Sequence, residues 1–337
     1  MKKLTSMVAL LVLALPAWAQ VTVDGTRDVA YGAALAVQTV DTQFGDAAPP
    51  GNTGGSELDA GYAVLDAGRL YLMLTGNLEP NFNRLEIFID SKPGGENVLS
   101  GTPQYDSGNS SQKLIGLTFD TGFTADYHLL AYWGASNGPF TAHFVDRMGG
   151  AQASVPGSLG ATAAAVGLQA AGAIPAGNIG PNASGTALTQ NLEMAINDNN
   201  ALGVIGGTVA ANAAAAAAVA TGMEFSIALA DLGNPGPGAT IRIFAAVDNS
   251  QHDYLSNQIL AGLPAPQGNL GGDGSGNYTG VLSGVNFNNF AGSQYFILQI
   301  PGQPLGPAIP ALTDWGAALL ALVVAALAWV VLARRSG

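Results

Sequence analysis

The sequence predicts a mainly-β protein, an antiparallel β-sandwich built from short strands. Three observations carry that expectation. Apolar residues alternate with others over short stretches, the period of a half-buried strand. Clusters of Gly, Pro, Asn and Asp separate those stretches and punctuate the chain with turns. Helical periodicity is almost absent between the two ends, which leaves sheet-on-sheet packing as the way to bury an apolar face.

The strands follow in order. Leu58–Asp66, a turn at Ala67-Gly68, and Arg69–Thr75 read as a hairpin, with Tyr62, Val64, Leu70, Leu72 and Leu74 alternating. Arg84–Asp90 puts Leu85, Ile87 and Ile89 on one face and Glu86, Phe88 and Asp90 on the other. Further strands are expected at Lys113–Phe119, Ala125–Trp133, Phe140–Val145, Asn191–Asn197, Met223–Leu229, Thr240–Val247 and Gln294–Ile300. The stretch 149–222 departs from this pattern, being dominated by Ala and Gly and including Ala213–Ala218. Two readings compete for it: a low-complexity insertion, or an insertion holding a short helix. Ala has the best helix propensity, so a helix is expected around Val209–Ala220 and irregular loop before Leu188.

Both ends carry targeting signals. Lys2-Lys3, the apolar run Met7–Leu15 and Ala17-Trp18-Ala19 form the basic, apolar and A-x-A parts of a secretory signal peptide. Residues 1–19 are therefore expected to be a signal helix that is cleaved before Gln20. Ala317–Ala333 is an uncharged run, long enough as a helix for about 26 Å at about 1.5 Å per residue, near the lower limit for a bilayer span. Trp315 and Trp329 sit near its ends and Arg334-Arg335 follow it, the flanks expected of a single transmembrane helix. The alternative, a C-terminal core helix, fits poorly because the run lacks a polar stripe.

Ile309, Pro310, Leu312, Trp315 and Gly316, then the apolar span and Arg334-Arg335, resemble the IPTL-CTERM sorting signal, a variant of the PEP-CTERM type. The resemblance covers Ile309–Gly337 and departs in Ala311, where Thr is usual, and in Thr313-Asp314, where Ser-Glu is common. It implies handling by signal peptidase and an exosortase-like enzyme in a Gram-negative, exopolysaccharide-producing bacterium. The precursor would be anchored in the inner membrane and the body then moved to the cell surface or beyond. On this reading the chain divides into signal 1–19, exported body 20–307 and sorting tail 308–337.

Composition fits export. With no cysteine, neither disulfides nor thiolate metal sites are available. Four of the 11 basic and one of the 23 acidic residues lie in the terminal signals, leaving 7 basic and 22 acidic, a net charge of −15. Such a body repels nucleic acid and anionic membrane surfaces and attracts cations.

The body is similar to family 9 carbohydrate-binding modules and related DOMON-like sandwiches. The opening Val21-Thr22-Val23-Asp24-Gly25-Thr26-Arg27-Asp28, the segment Tyr62–Leu74, Leu85–Asp90 and Gly222–Gly233 carry the similarity, in the family's order. Ser226-Ile227-Ala228 lacks the family's Pro. The resemblance implies a jelly-roll-like β-sandwich, and with it polysaccharide as a candidate partner.

Candidate binding residues follow from chemistry. Sugar rings stack on exposed aromatic faces, and Trp133 with its neighbour Tyr132 is the candidate platform. Tyr105, Tyr254 and Tyr278 are further aromatics in expected loops. The competing reading is that Trp133 fills the core. Calcium, which takes six to eight oxygens, is the ion best suited to these loops. Asp24, Asp28 and Asp90 are its candidate ligands, since related modules carry calcium near their opening loops. The loop Gly271–Asn277 looks like a calcium loop but has Gly284 where the twelfth-position Glu belongs, and reads equally as a Gly-rich turn. His128, His143 and His252 show no zinc-site spacing, and no catalytic elbow, P-loop or dinucleotide fingerprint is present. The expected role is therefore a non-enzymatic surface or matrix protein, structural or adhesive in exopolysaccharide. The alternatives are a carbohydrate-binding protein and a cryptic glycoside hydrolase, which needs only two suitably spaced carboxylates.

Overall fold

The computed structural model describes residues 20–45, 55–101, 107–134, 139–148, 169–177, 187–200 and 202–302. Residues 1–19, expected to be a signal peptide, the expected sorting tail 308–337 with its apolar run 317–333, and Tyr105 lie outside the described residues. Among the described residues, no helix is long and apolar enough to cross a membrane.

The described chain is mainly β, with two antiparallel sheets. Its strands are β1 (Ala36–Val37), β2 (Glu57–Asp66), β3 (Arg69–Asn77), β4 (Arg84–Asp90), β5 (Tyr127–Trp133), β6 (Phe140–Asp146), β7 (Gln169–Ile174), β8 (Leu192–Asn197), β9 (Gly222–Ala228), β10 (Thr240–Asp248), β11 (Leu255–Leu260) and β12 (Phe296–Gln299). One sheet runs β1-β2-β3-β9-β8-β7 and the other β11-β10-β4-β5-β6. The expected hairpin is β2–β3: Asp66 pairs with Arg69, and Ala67 and Gly68 both take positive φ, 48° and 77°, as a two-residue hairpin turn requires.

Alternation decides what each sheet buries. On β3, Leu70, Leu72 and Leu74 lie on the face of Phe225 and Met223, and Phe225 meets Phe140 of the other sheet at 6.3 Å between ring centroids. The opposite face carries Tyr62, Tyr71 and Met73, covered by Val21 and Tyr31 of the opening segment. In the second sheet, Leu85, Ile87 and Ile89 share a face, as expected. Their alternates Glu86 and Phe88 point into a separate layer, where Phe88, Phe119, Phe123, Phe244 and Phe287 form a core under the loops. A polar contact joins the two sheets directly, the Leu58 N–H donating to Gln258 Oε1 at 3.1 Å.

Three sequence expectations change. Lys113–Phe119 is not a strand: Ser107–Leu114 forms a 3₁₀ helix, and Gly116, at φ 83°, turns the chain away from it. The helix in the Ala-rich stretch spans only Ala213–Ala218, where Asn212 caps it by accepting from the Ala214 and Ala215 N–H groups. The region before Leu188 is not all loop, because β7 pairs along β8.

Among the described residues, Gly236–Ala239 and Gln299–Gly302 belong to a second unit. Within its described part, the Ile300 N–H donates to the Ala239 carbonyl at 2.9 Å and the Gly238 N–H to the Ile300 carbonyl at 3.1 Å.

Candidate functional site

The outer face of the second sheet gathers a constellation that no spacing motif in the sequence marks. Glu86 projects from β4 beside Ala246 of β10 and Leu130 of β5. His128, on β5 opposite Phe88, reaches Glu86 Oε2 through Nε2 at 2.7 Å, and its ring stacks on Phe88 at 4.1 Å. Asp248 ends β10. The turn 249–254 then folds back and brings His252 Nδ1 to Glu86 Oε1 at 2.5 Å. His252 stands at φ 57°, a left-handed conformation unusual for a residue with a side chain.

Local chemistry explains the turn. Asn249 Oδ1 accepts from the Gln251 and Asp253 N–H groups at 3.0 and 3.2 Å, an Asx-type closure. Asp248 Oδ1 accepts from the Asn249 and Tyr254 N–H groups at 2.7 and 3.2 Å. Asp253 fastens the turn from outside, accepting from Lys113 Nζ at 2.7 Å and from the Tyr278 hydroxyl at 3.1 Å.

All four groups are sealed from solvent: Glu86 is 1% exposed, and His128, Asp248 and His252 are 0% exposed. One ligating atom from each of Glu86, Asp248 and His252 lies within 4.8 Å of the others. Asp248 Oδ2 is buried with no hydrogen-bond partner among the described residues. Burial pushes the Asp248 carboxyl well up, reinforced by the negative charge of Glu86. Burial also opposes ionisation of Glu86, but the charge of His252 and the hydrogen bonds from both histidines outweigh it and hold Glu86 below the usual carboxylate range. Burial lowers His128 despite its bond to Glu86.

Another buried carboxylate, Glu224, lies on the first sheet. Glu224 Oε2 accepts from the Asp24 and Gly25 N–H groups, each at 2.9 Å, and Oε1 accepts from the Tyr31 hydroxyl at 2.8 Å. It clamps the opening segment to the sheet.

The residues singled out from sequence are dispersed. Asp24 Oδ1 accepts from the Thr26 N–H at 2.8 Å and Asp28 Oδ2 from the Thr22 N–H at 2.7 Å, both within the opening segment. Asp90 lies on the other sheet, where its Oδ2 is held by Arg242 Nη1 at 3.2 Å and the Thr124 N–H at 3.3 Å. The three carboxylates proposed for calcium are thus divided between the sheets and engaged by different partners. Tyr132 lies between neighbours on both adjoining strands, with Arg84 Cζ 3.7 Å from its ring centroid and the His143 ring stacked at 5.7 Å. Those contacts occupy the ring faces that a sugar would need. The Trp133 side chain is outside the described part. Of the loop tyrosines, Tyr254 stacks on Phe44 at 6.5 Å, while Tyr278 is 65% exposed. In the Gly271–Asn277 loop, Asp273 spends its oxygens on Ser275 and Asn277, so the loop is a self-closed turn. A surface depression of about 320 Å³, lined by Thr39, Leu263, Pro264, Ser293 and Gln294 among others, has no titratable side chain in its lining.

No protein-family model, curated protein or solved structure matches this chain. Sequence reasoning passed over Glu86, Asp248 and His252 because strand pairing, not spacing, brings them together. The available signal was a lone Glu among apolar residues on a strand, and a polar Asp-Asn-Ser-Gln-His-Asp run directly after another.

Proposed function

We propose that this chain is the precursor of an exported, non-enzymatic envelope or matrix protein, with a structural or adhesive role in exopolysaccharide. Its body is read as a jelly-roll-like β-sandwich, in keeping with two antiparallel sheets covered on both outer faces by long segments. Destination rests on the termini: a signal-like start, and Ile309, Pro310, Leu312, Trp315 and Gly316 before an apolar run and Arg334-Arg335. The observation that favours a structural over a catalytic body is burial. The constellation with the richest acid–base chemistry among the described residues is at most 1% exposed, where no polymer can reach it.

In an exosortase-bearing host, the full chain should partition with the extracellular polysaccharide, and a Trp315→Ala, Gly316→Leu variant should stay in the inner-membrane fraction. Equal partitioning of both would contradict the reading.

Carbohydrate binding is a second reading, now favoured by Tyr278 over Trp133 and Tyr132. Its ring is exposed, and its hydroxyl is fixed to Asp253, the arrangement of a presented stacking face. Tyr278→Ala should lower retention on the host polysaccharide at least tenfold if this reading holds. Unchanged retention would remove it.

A further inference from the structure

We propose that Glu86, Asp248 and His252 bind a divalent first-row transition metal ion such as Zn²⁺. Such a site is independent of where the chain is delivered. Two carboxylates that are 0–1% exposed cannot both remain ionised without compensation, because burying an uncompensated charge is among the costliest events in folding. His252 meets Glu86 through Nδ1, and Arg147 is committed to Glu96 through Nε at 2.7 Å, so Asp248 has no ion pair of its own among the described residues. A dication between the two carboxylates neutralises both.

The donor set selects the kind of ion. Calcium and magnesium want six or more oxygens or retained waters. A set of two carboxylates and one imidazole suits zinc and its neighbours, which accept nitrogen and low coordination number. The ligating atoms already converge within 4.8 Å. Asp248 Oδ2 is an independent pointer, a fully buried oxygen with no hydrogen-bond partner among the described residues. Oδ1 of the same carboxylate is held by two backbone N–H groups, which leaves Oδ2 to serve a ligand.

Seating the ion needs a small adjustment. Glu86 Oε1 and His252 Nδ1 are 2.5 Å apart, whereas two ligands at ~2.0–2.1 Å from a tetrahedral zinc lie about 3.3 Å apart. The ion takes the place of the proton between them, and His252 binds as neutral imidazole protonated on Nε2. His128 then has the outer-shell role, orienting Glu86 through its second oxygen.

The competing occupant is a proton shared between Glu86 and Asp248, and one variant separates the two. Asp248→Asn keeps the shape and neutrality of a protonated carboxyl but removes the anionic ligand. The full chain is unfolded in chelator, refolded with Zn²⁺, Co²⁺, Mn²⁺ or Ca²⁺, and passed over a desalting column before metal analysis. The expected result is about one Zn²⁺ or Co²⁺ retained per chain, visible absorption from tetrahedral Co²⁺, and no Ca²⁺. Asp248→Asn should retain less than a tenth as much. Should that variant fail to fold, the stoichiometry and Co²⁺ spectrum of the unaltered chain still decide. A chain that retains none of the four ions overturns the proposal, as does an Asp248→Asn variant that retains zinc fully.

Discussion

His252 and Glu86 stand 166 residues apart in sequence and meet at 2.5 Å, Nδ1 to Oε1, in the interior above the second sheet. With His128 on the other oxygen, Glu86 has both of its acceptor sites filled by imidazoles from two different elements. Glu86→Gln keeps the size but offers one acceptor oxygen where two are needed, so one histidine faces an amide N–H₂. Leaving a buried imidazole against a mismatched amide should cost about 1–3 kcal/mol. Chemical denaturation checks this, and a loss below about 1 kcal/mol would show that the cluster contributes little to the fold.

Glu224 sets a pH dependence whose sign is opposite to that of a salt-bridged carboxylate. Burial raises its carboxyl from 4.5 to about 7, against the bonds from Tyr31, Gly25 and Asp24 that favour the anion. The folded chain therefore binds the proton more tightly than the unfolded chain. The stability this contributes is fully present below about 4.5 and is lost as pH rises through about 7. Glu224→Gln should abolish that component. Melting temperatures of the two chains from pH 4 to pH 8 should converge at one end and separate by several degrees at the other, and parallel curves would refute the assignment.

Lys113 holds the turn that carries His252, by way of Asp253. Lys113→Met removes the 2.7 Å bond to Asp253 but leaves Asn249 Nδ2 and the Tyr278 hydroxyl as donors to that carboxylate. The global cost should be about 1 kcal/mol. The local effect is the better readout: amide exchange at Asp253–Leu255 should quicken at least tenfold, with β4 unchanged. Unaltered exchange would mean that the bonds from Asn249 and Tyr278 and those to Asp248 hold the turn without Lys113.

Gly76 sits at a β-bulge, where the β2–β3 register shifts between Leu58 and Ala60. Its φ is 137°, and a Cβ there would lie 2.2 Å from the Glu57 carbonyl oxygen. Backbone cannot yield as a flexible side chain would, so Gly76→Ala should cost about 2–4 kcal/mol by equilibrium unfolding. Gly236→Ala, which meets nothing within 4 Å, is the control and should be near neutral.

What the sequence disclosed follows the reach of its signals. The β2–β3 hairpin and the two faces of β4 were legible because alternation and a Gly-containing turn are local. Strand β11 was missed because Ser256, Asn257 and Gln258 are buried polar residues that break the apolar alternation. Gln258 takes the Leu58 N–H, and Asn257 Nδ2 donates to the Asp41 and Gln267 carbonyls at 2.7 and 2.9 Å. Strand β7, with Ala170, Ala171, Gly172 and Ala173, carries almost no apolar period; it is a strand because β8 supplies the pairing edge. The Glu86 cluster was illegible for a related reason. Its members become neighbours only once β4 pairs with β5 and with β10, and no spacing rule in one dimension encodes that.

The claim that the chain is a sorted precursor rests on the fate of its ends, and the intact mass of the protein extracted from the surface of producing cells tests it most directly. The account predicts a mature species that begins at Gln20 and lacks the span 317–333. A surface form whose mass still includes that span would contradict it.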